Sequence, residues 1–236
     1  MTRMLLIGLV GCALGLCASG RPADPPVSPP PADPAPSAKP PFHKELKDVA
    51  ATYLKWGRVD NEARWAPELC RAPRPAQARF SASADEKTHG KKLYSLFAKD
   101  RNGYVLVAKE KTVKVGQVVV KQSWVPEEMT GTDAAEVRAG QAKLEAQPGA
   151  GPWDSFNPYV VRDGKIYKAA KQADLFVMMK LDPSTPETDE GWVYGTLTPD
   201  GKTVTAAGKL ESCMKCHVEA KTDRLFGLQA NDTPKP

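Results

Sequence analysis

Five residues, Cys213-Met214-Lys215-Cys216-His217, combine two thiols and an imidazole at a spacing that can do chemistry. On a helix, positions i, i+3 and i+4 share a face. Thiols so placed can bond the two vinyl groups of a haem while the adjacent imidazole coordinates its iron, and Cys-x-x-Cys-His is the attachment motif of c-type haem. Two other chemistries use the same residue types. A disulfide or thioredoxin-like redox pair belongs after an early strand of a βαβ unit, whereas this motif follows a long run of strands. A zinc cage needs a fourth ligand, for which Cys70 or His89 could serve, but the contiguous order in an exported chain favours haem. The expectation is one haem c, held covalently by Cys213 and Cys216, with His217 as an axial ligand of the iron.

The other face of the iron decides between ligand binding and electron carrying. Only 19 residues follow His217, and none is Met or His. Upstream, His43, His89, Met129, Met178 and Met179 could close the sixth position. Met178 and Met179 lie in one strand, however, where one of the two should face the core. An open or water-occupied position is therefore expected, which points to small-ligand binding or redox catalysis. The alternative is an electron-transfer cytochrome closed by His89 or a Met.

Three kinds of segment must position these residues. From Phe42 onward, Leu46, Val49, Ala50, Tyr53 and Leu54 recur at helical spacing and Gly57 is a natural stop. A second short helix is predicted from Asp60 to Ala66, ended by Pro67, with a loop at Pro73 and Pro75. Strands are predicted over Lys92–Ala98, Tyr104–Ala108, Gln117–Val125, Pro158–Arg162, Lys165–Ala169, Leu175–Leu181 and Gly191–Leu197. Asp163-Gly164 reads as a hairpin turn and Pro199-Asp200-Gly201 as a reversal. Thr130–Gly151, rich in Ala, Glu and Gln, reads as a helical or mobile insertion. The fold class is α+β: a mainly antiparallel sheet with flanking helices and a C-terminal helix carrying the haem motif.

The chain has 236 residues, 41% hydrophobic, with a formal net charge of +5. Ten of its 22 prolines fall between Pro22 and Pro41, so the rest has ordinary globular composition. The longest apolar run, Met4–Ala18, is broken by Gly8, Gly11 and Gly15, which excludes a polytopic membrane protein. Residues 1–20 read as an export segment opened by Arg3. Leu9-Val10-Gly11-Cys12 matches a lipobox, making Cys12 the expected lipidation site; ordinary cleavage after Ala18-Ser19-Gly20 is the alternative. Residues 21–41 form a Pro-rich tether, which at about 3.1 Å per residue could hold a domain roughly 90 Å from its anchor. The expected location is the periplasm or cell envelope, with membrane contact only through the lipid. Basic residues are spread along the chain, so nucleic acid is not expected.

Several stretches in one order resemble the P-460-type cytochromes. They are Thr88-His89-Gly90 before Leu93-Tyr94-Ser95-Leu96-Phe97, then Val115-Gly116-Gln117-Val118-Val119-Val120-Lys121, Leu175-Phe176-Val177-Met178-Met179-Lys180, Gly191-Trp192-Val193-Tyr194, and Gly208-Lys209-Leu210-Glu211-Ser212 running into the haem motif. The resemblance covers roughly residues 85–228. Together with the export segment 1–20, the tether 21–41 and a helical lead-in 42–84 read from composition and spacing, it gives a haem domain over 85–230. It implies His217 as proximal ligand and a distal pocket for an exogenous ligand. Family members include oxidases of hydroxylamine and nitric oxide, and relatives similar to cytochrome c-prime beta that bind nitric oxide or carbon monoxide. In the enzymes a lysine is also linked to the porphyrin edge. Here that region reads Ser123-Trp124-Val125, with Lys121 four residues before Val125. Phe97, Trp124 and Phe176 are candidates to cap the pocket, and Glu187, Asp189 and Glu190 are carboxylates near it in sequence. The partners implied are a small gaseous or N-oxide ligand and a redox protein, with room for a homodimer.

Overall fold

A computed structural model of the chain describes residues 41–59, 76–81, 89–104, 112–146, 155–220 and 222–227. The export segment with Cys12, the tether, the helix expected over Asp60–Ala66, the loop at Pro73 and Pro75, and Cys70 lie outside the described residues. Among these residues the chain is mainly antiparallel sheet with a few helices. Helix α1 (His43–Thr52) runs into a 3-10 turn over Tyr53–Trp56. The strands are β1 (Ala76–Gln77), β2 (Arg79–Phe80), β3 (Leu93–Ala98), β4 (Val118–Met129), β5 (Glu145–Ala146), β6 (Ser155–Asn157), β7 (Tyr159–Arg162), β8 (Lys165–Lys180), β9 (Trp192–Leu197) and β10 (Val204–Gly208). Helix α2 (Gly131–Arg138) follows β4, and helix α3 (Glu211–His217) carries the Cys-x-x-Cys-His residues.

The main sheet runs β10-β9-β8-β4-β3-β2, with β7 paired to the first part of β8. A small second sheet, β1-β6-β5, contains a parallel pair, β1 with β6. Every neighbour in the main sheet is antiparallel. The β7–β8 turn falls at Asp163-Gly164, whose φ angles of 52° and 74° are those of a two-residue hairpin that matches the sheet's twist.

The stretch expected to hold two strands, Lys165–Ala169 and Leu175–Leu181, is instead one 16-residue strand. The polar residues between them do not break it, because β4 continues past Val125 to Met129 and keeps it partnered. Two register shifts, at Gln122/Trp124 and Val125/Pro126, place the extra residues on β8 as bulges. Tyr104, expected to open a strand, closes a helical turn over 101–104. Asp100 caps that turn: its side chain accepts the Gly103 N–H at 2.9 Å and its carbonyl the Tyr104 N–H at 3.1 Å. The remainder of that predicted strand lies outside the described residues.

The pleat divides the main sheet into two buried faces. Val118, Val120, Val177, Met179 and Val193 point to one side, where they meet Leu46 and Val49 of α1 and Tyr53. Each such side chain, fully buried, contributes roughly 1.5–3 kcal/mol of hydrophobic stabilisation. Gly195 permits this contact, since a Cβ there would sit 2.4 Å from Leu46 Cδ2. Val119, Met178, Trp192 and Tyr194 point to the other side, against Leu225 and the α3 residues Cys213 and Met214. Helices α1 and α3 therefore use opposite faces of the same strands.

Candidate haem site

Helix α3 contains Cys213, Cys216 and His217 within its seven residues, so all three fall on one face. Cys213 and Cys216 are free thiols. Cys213, Cys216 and His217 line one cavity of about 520 Å³. That is within the range of ligand-holding pockets. Its floor is the second face of the sheet. Leu96, Lys121 and Phe176 form one cross-strand row over β3, β4 and β8, and Val119, Met178 and Tyr194 form the next row over β4, β8 and β9. Tyr104, Leu225 and Phe226 complete the wall near His217.

His217 is fixed from two sides. Its Nδ1–H donates to the Arg224 carbonyl at 2.7 Å. Its ring also meets the rings of Tyr194 and Phe226 at a tilt, with centroids 5.7 and 5.3 Å away. Burial lowers its affinity for a proton, partly opposed by the Arg224 carbonyl. The ring is thus held as a neutral imidazole with Nε2 left to act as a ligand. Burial likewise raises the Cys213 thiol pKa. Two thiols, a pinned imidazole and an aromatic-lined cavity fit a covalently attached haem. Among the described residues, no three His, Cys, Asp or Glu side chains converge as a metal cage.

The sixth-ligand candidates separate by position. His43 lies on α1, behind the sheet, and Met129 pairs with Ile166 at the far end of β4. Met179 packs in the α1-side core, whereas Met178 and His89 line the cavity. His89 packs edge-on against Phe176 with centroids 4.2 Å apart, and its buried Nδ1 has no hydrogen-bond partner among the described residues. Burial, then the charge of Lys121, pushes its pKa down to about 2, so it stands as a neutral imidazole.

Of the three aromatic cap candidates, only Phe176 reaches the cavity. Phe97 pairs with Val120 and shares its pleat, so it faces α1 and meets the Tyr53 ring edge-on at 4.9 Å. Trp124 stacks on Phe156 in a third core cluster. No protein-family model and no curated protein matches this chain. Sequence reasoning missed Tyr94, Tyr104, Tyr194 and Phe226 as wall residues. Alternation along β3 could have flagged Tyr94, since Leu96 and Tyr94 share a pleat.

Lys121 is the one lysine on the cavity wall among the described residues. Its amine lies 3.2 Å from Ser81 Oγ and 4.1 Å over the Tyr94 ring. Burial, with the charge of Lys92, pushes its pKa down to about 7. The carboxylates take other roles. Asp189 accepts two hydrogen bonds from the Arg224 guanidinium, at 2.9 and 3.1 Å, and one from the Tyr194 hydroxyl at 2.9 Å. The Arg224 bonds hold its carboxyl below the usual range. Neither Glu187 nor Glu190 lines the cavity.

Proposed function

We propose that the chain is an exported mono-haem c-type cytochrome of the P-460 type, which binds or oxidises small nitrogen oxides such as hydroxylamine or nitric oxide. The observation that carries this reading is that both thiols and the imidazole of one helical turn open onto a single cavity. Among the described residues, its wall away from them offers neutral or apolar groups and one perturbed lysine. The resemblance to P-460 cytochromes rests on the haem motif and short stretches around it. When bound, haem c supplies an iron centre that takes small diatomic ligands and exchanges single electrons. The chain's residues attach it through Cys213 and Cys216, orient it through His217 and exclude water with Phe176, Tyr104 and Tyr194. Asp189 is already occupied by Arg224 and Tyr194. A proton leaving a bound substrate therefore meets the Lys121 amine, which with its pKa pushed down to about 7 can accept one while uncharged. Export to the envelope, Cys12 lipidation, the Pro-rich tether, a redox partner protein and a homodimer belong to the same proposal.

Absorption spectra of the purified ferric and dithionite-reduced protein, with and without nitric oxide or carbon monoxide, test it. A high-spin spectrum that shifts on gas addition is expected, with a red-shifted reduced Soret band if Lys121 is linked to the porphyrin edge. Failure to find covalent haem would sink the proposal. His89 favours one second reading: because its free imidazole lines the same cavity as His217, an electron carrier closed by two histidines is the competitor. In that case the spectrum is low-spin and indifferent to gas, and His89→Leu converts it to high-spin.

A further inference from the structure

The Arg224 carbonyl that receives His217 comes from an unusual turn. Thr222 and Leu225 bridge each other, with Leu225 N–H donating to Thr222 O at 2.7 Å, and the central residues Asp223 and Arg224 have φ angles of 40° and 65°. Both central positions are thus left-handed, as in a type I′ turn, where Asn-Gly or Gly-Gly is the usual content. Side chains with a Cβ persist there only when their surroundings over-determine the backbone.

The surroundings do so through two buried anchors. Asp223 accepts from Lys180 Nζ at 2.8 Å, from Trp192 Nε1 at 2.9 Å and from the Val113 N–H at 3.0 Å. Arg224 grips Asp189, whose side chain is 6% exposed. Asp189 is in turn fixed to the sheet, because its backbone exchanges two 2.9 Å hydrogen bonds with Trp192 at the start of β9. Tyr194, two residues further, donates its hydroxyl to the same carboxylate while its ring lies against His217. Sheet, carboxylate, guanidinium, carbonyl and imidazole form one closed circuit.

We propose that Asp189 is a positioning residue for His217, acting through Arg224 to hold the carbonyl that orients the imidazole and raises its donor strength toward a haem iron. This inference rests on the haem reading. A hydrogen bond from the distant ring nitrogen makes an axial histidine more basic and favours the ferric state. Releasing the carbonyl should weaken the iron–histidine bond and raise the reduction potential.

The test uses the full-length haem-loaded protein and its Asp189→Asn variant. Expected are unchanged covalent haem, a lower iron–histidine stretching frequency in the reduced resonance Raman spectrum, and a ferrous-to-ferric ratio about tenfold higher at fixed potential, equivalent to about 59 mV for one electron. Asp189→Glu, which keeps the carboxylate, should recover part of the shift. Leu46→Ala on the opposite face should lower stability and leave both readouts unmoved. If Asp189→Asn does not accumulate, Tyr194→Phe removes one of the carboxylate's bonds and should shift both readouts in the same direction by less. A wild-type potential and stretching frequency in a variant that keeps its haem would overturn the positioning role alone. Lack of covalent haem in the unmutated chain would overturn the haem reading and this inference together.

Discussion

At the scale of single residues, the proposed haem reading gives the three members of the motif separable duties. Cys213→Ala and Cys216→Ala should each impair covalent haem retention, while His217→Ala should keep the thioether attachment and lose the axial bond. Mass and absorption spectra of the three variants distinguish these outcomes. If both cysteine variants keep normal covalent haem, the assignment is wrong. Lys121 makes a prediction about pH. Folding holds its amine at about 7 against an ordinary value of 10.5, so between those values the unfolded chain binds more protons. Stability should therefore rise as pH climbs from about 7 to about 10.5 and level off below about 7, where the amine carries its charge in both the folded and the unfolded chain. In Lys121→Met this part of the slope should vanish and stability near pH 6 should increase. Denaturant midpoints at several pH values measure both, and an unchanged slope would contradict the burial of this amine.

At the scale of elements, the positions that matter most are those where two elements share one residue's space. The hydrogen on Gly195 is directed at Leu46, so Gly195→Val would force α1 away from β9. Overpacking of this kind costs about 1–3 kcal/mol. Thermal unfolding should show that loss, and an unchanged midpoint would contradict the close approach of Leu46 to Gly195. Much of this architecture was legible beforehand. The helical spacing of Leu46, Val49 and Tyr53, the Asp163-Gly164 turn and the β-rich middle all appear where the residues suggest. The single strand β8 was not legible, because Ala170–Asp174 is polar enough to read as a break, and only the partner strand shows that the surplus residues bulge. Strand β10, Val204-Thr205-Ala206-Ala207-Gly208, carries too little bulk to signal itself. The motif named three residues of the candidate site, but its opposite wall depends on cross-strand register. That is why Phe97 and Trp124 looked as suitable as Phe176. The turn at Asp223-Arg224 resembles an ordinary tail until its two anchors, forty-three and thirty-five residues distant in sequence, are seen.

At the scale of the whole molecule, the proposed reading predicts an anchor as well as a site. Cells fed labelled palmitate should yield the parent protein in the detergent fraction and Cys12→Ser in the soluble fraction. An unlabelled soluble parent beginning near Arg21 would remove the anchor and leave the haem domain untouched. One wall residue bears on how such a tethered domain would trade electrons. Phe226 is 47% exposed while its ring centre lies 5.3 Å from that of His217. The His217 imidazole is then a single aromatic ring from solvent, on the side away from α1, and in the proposed haem form so is the iron's axial ligand. A protein docking over that ring would sit within short tunnelling range without penetrating the cavity, so electrons and small ligands could use different doors.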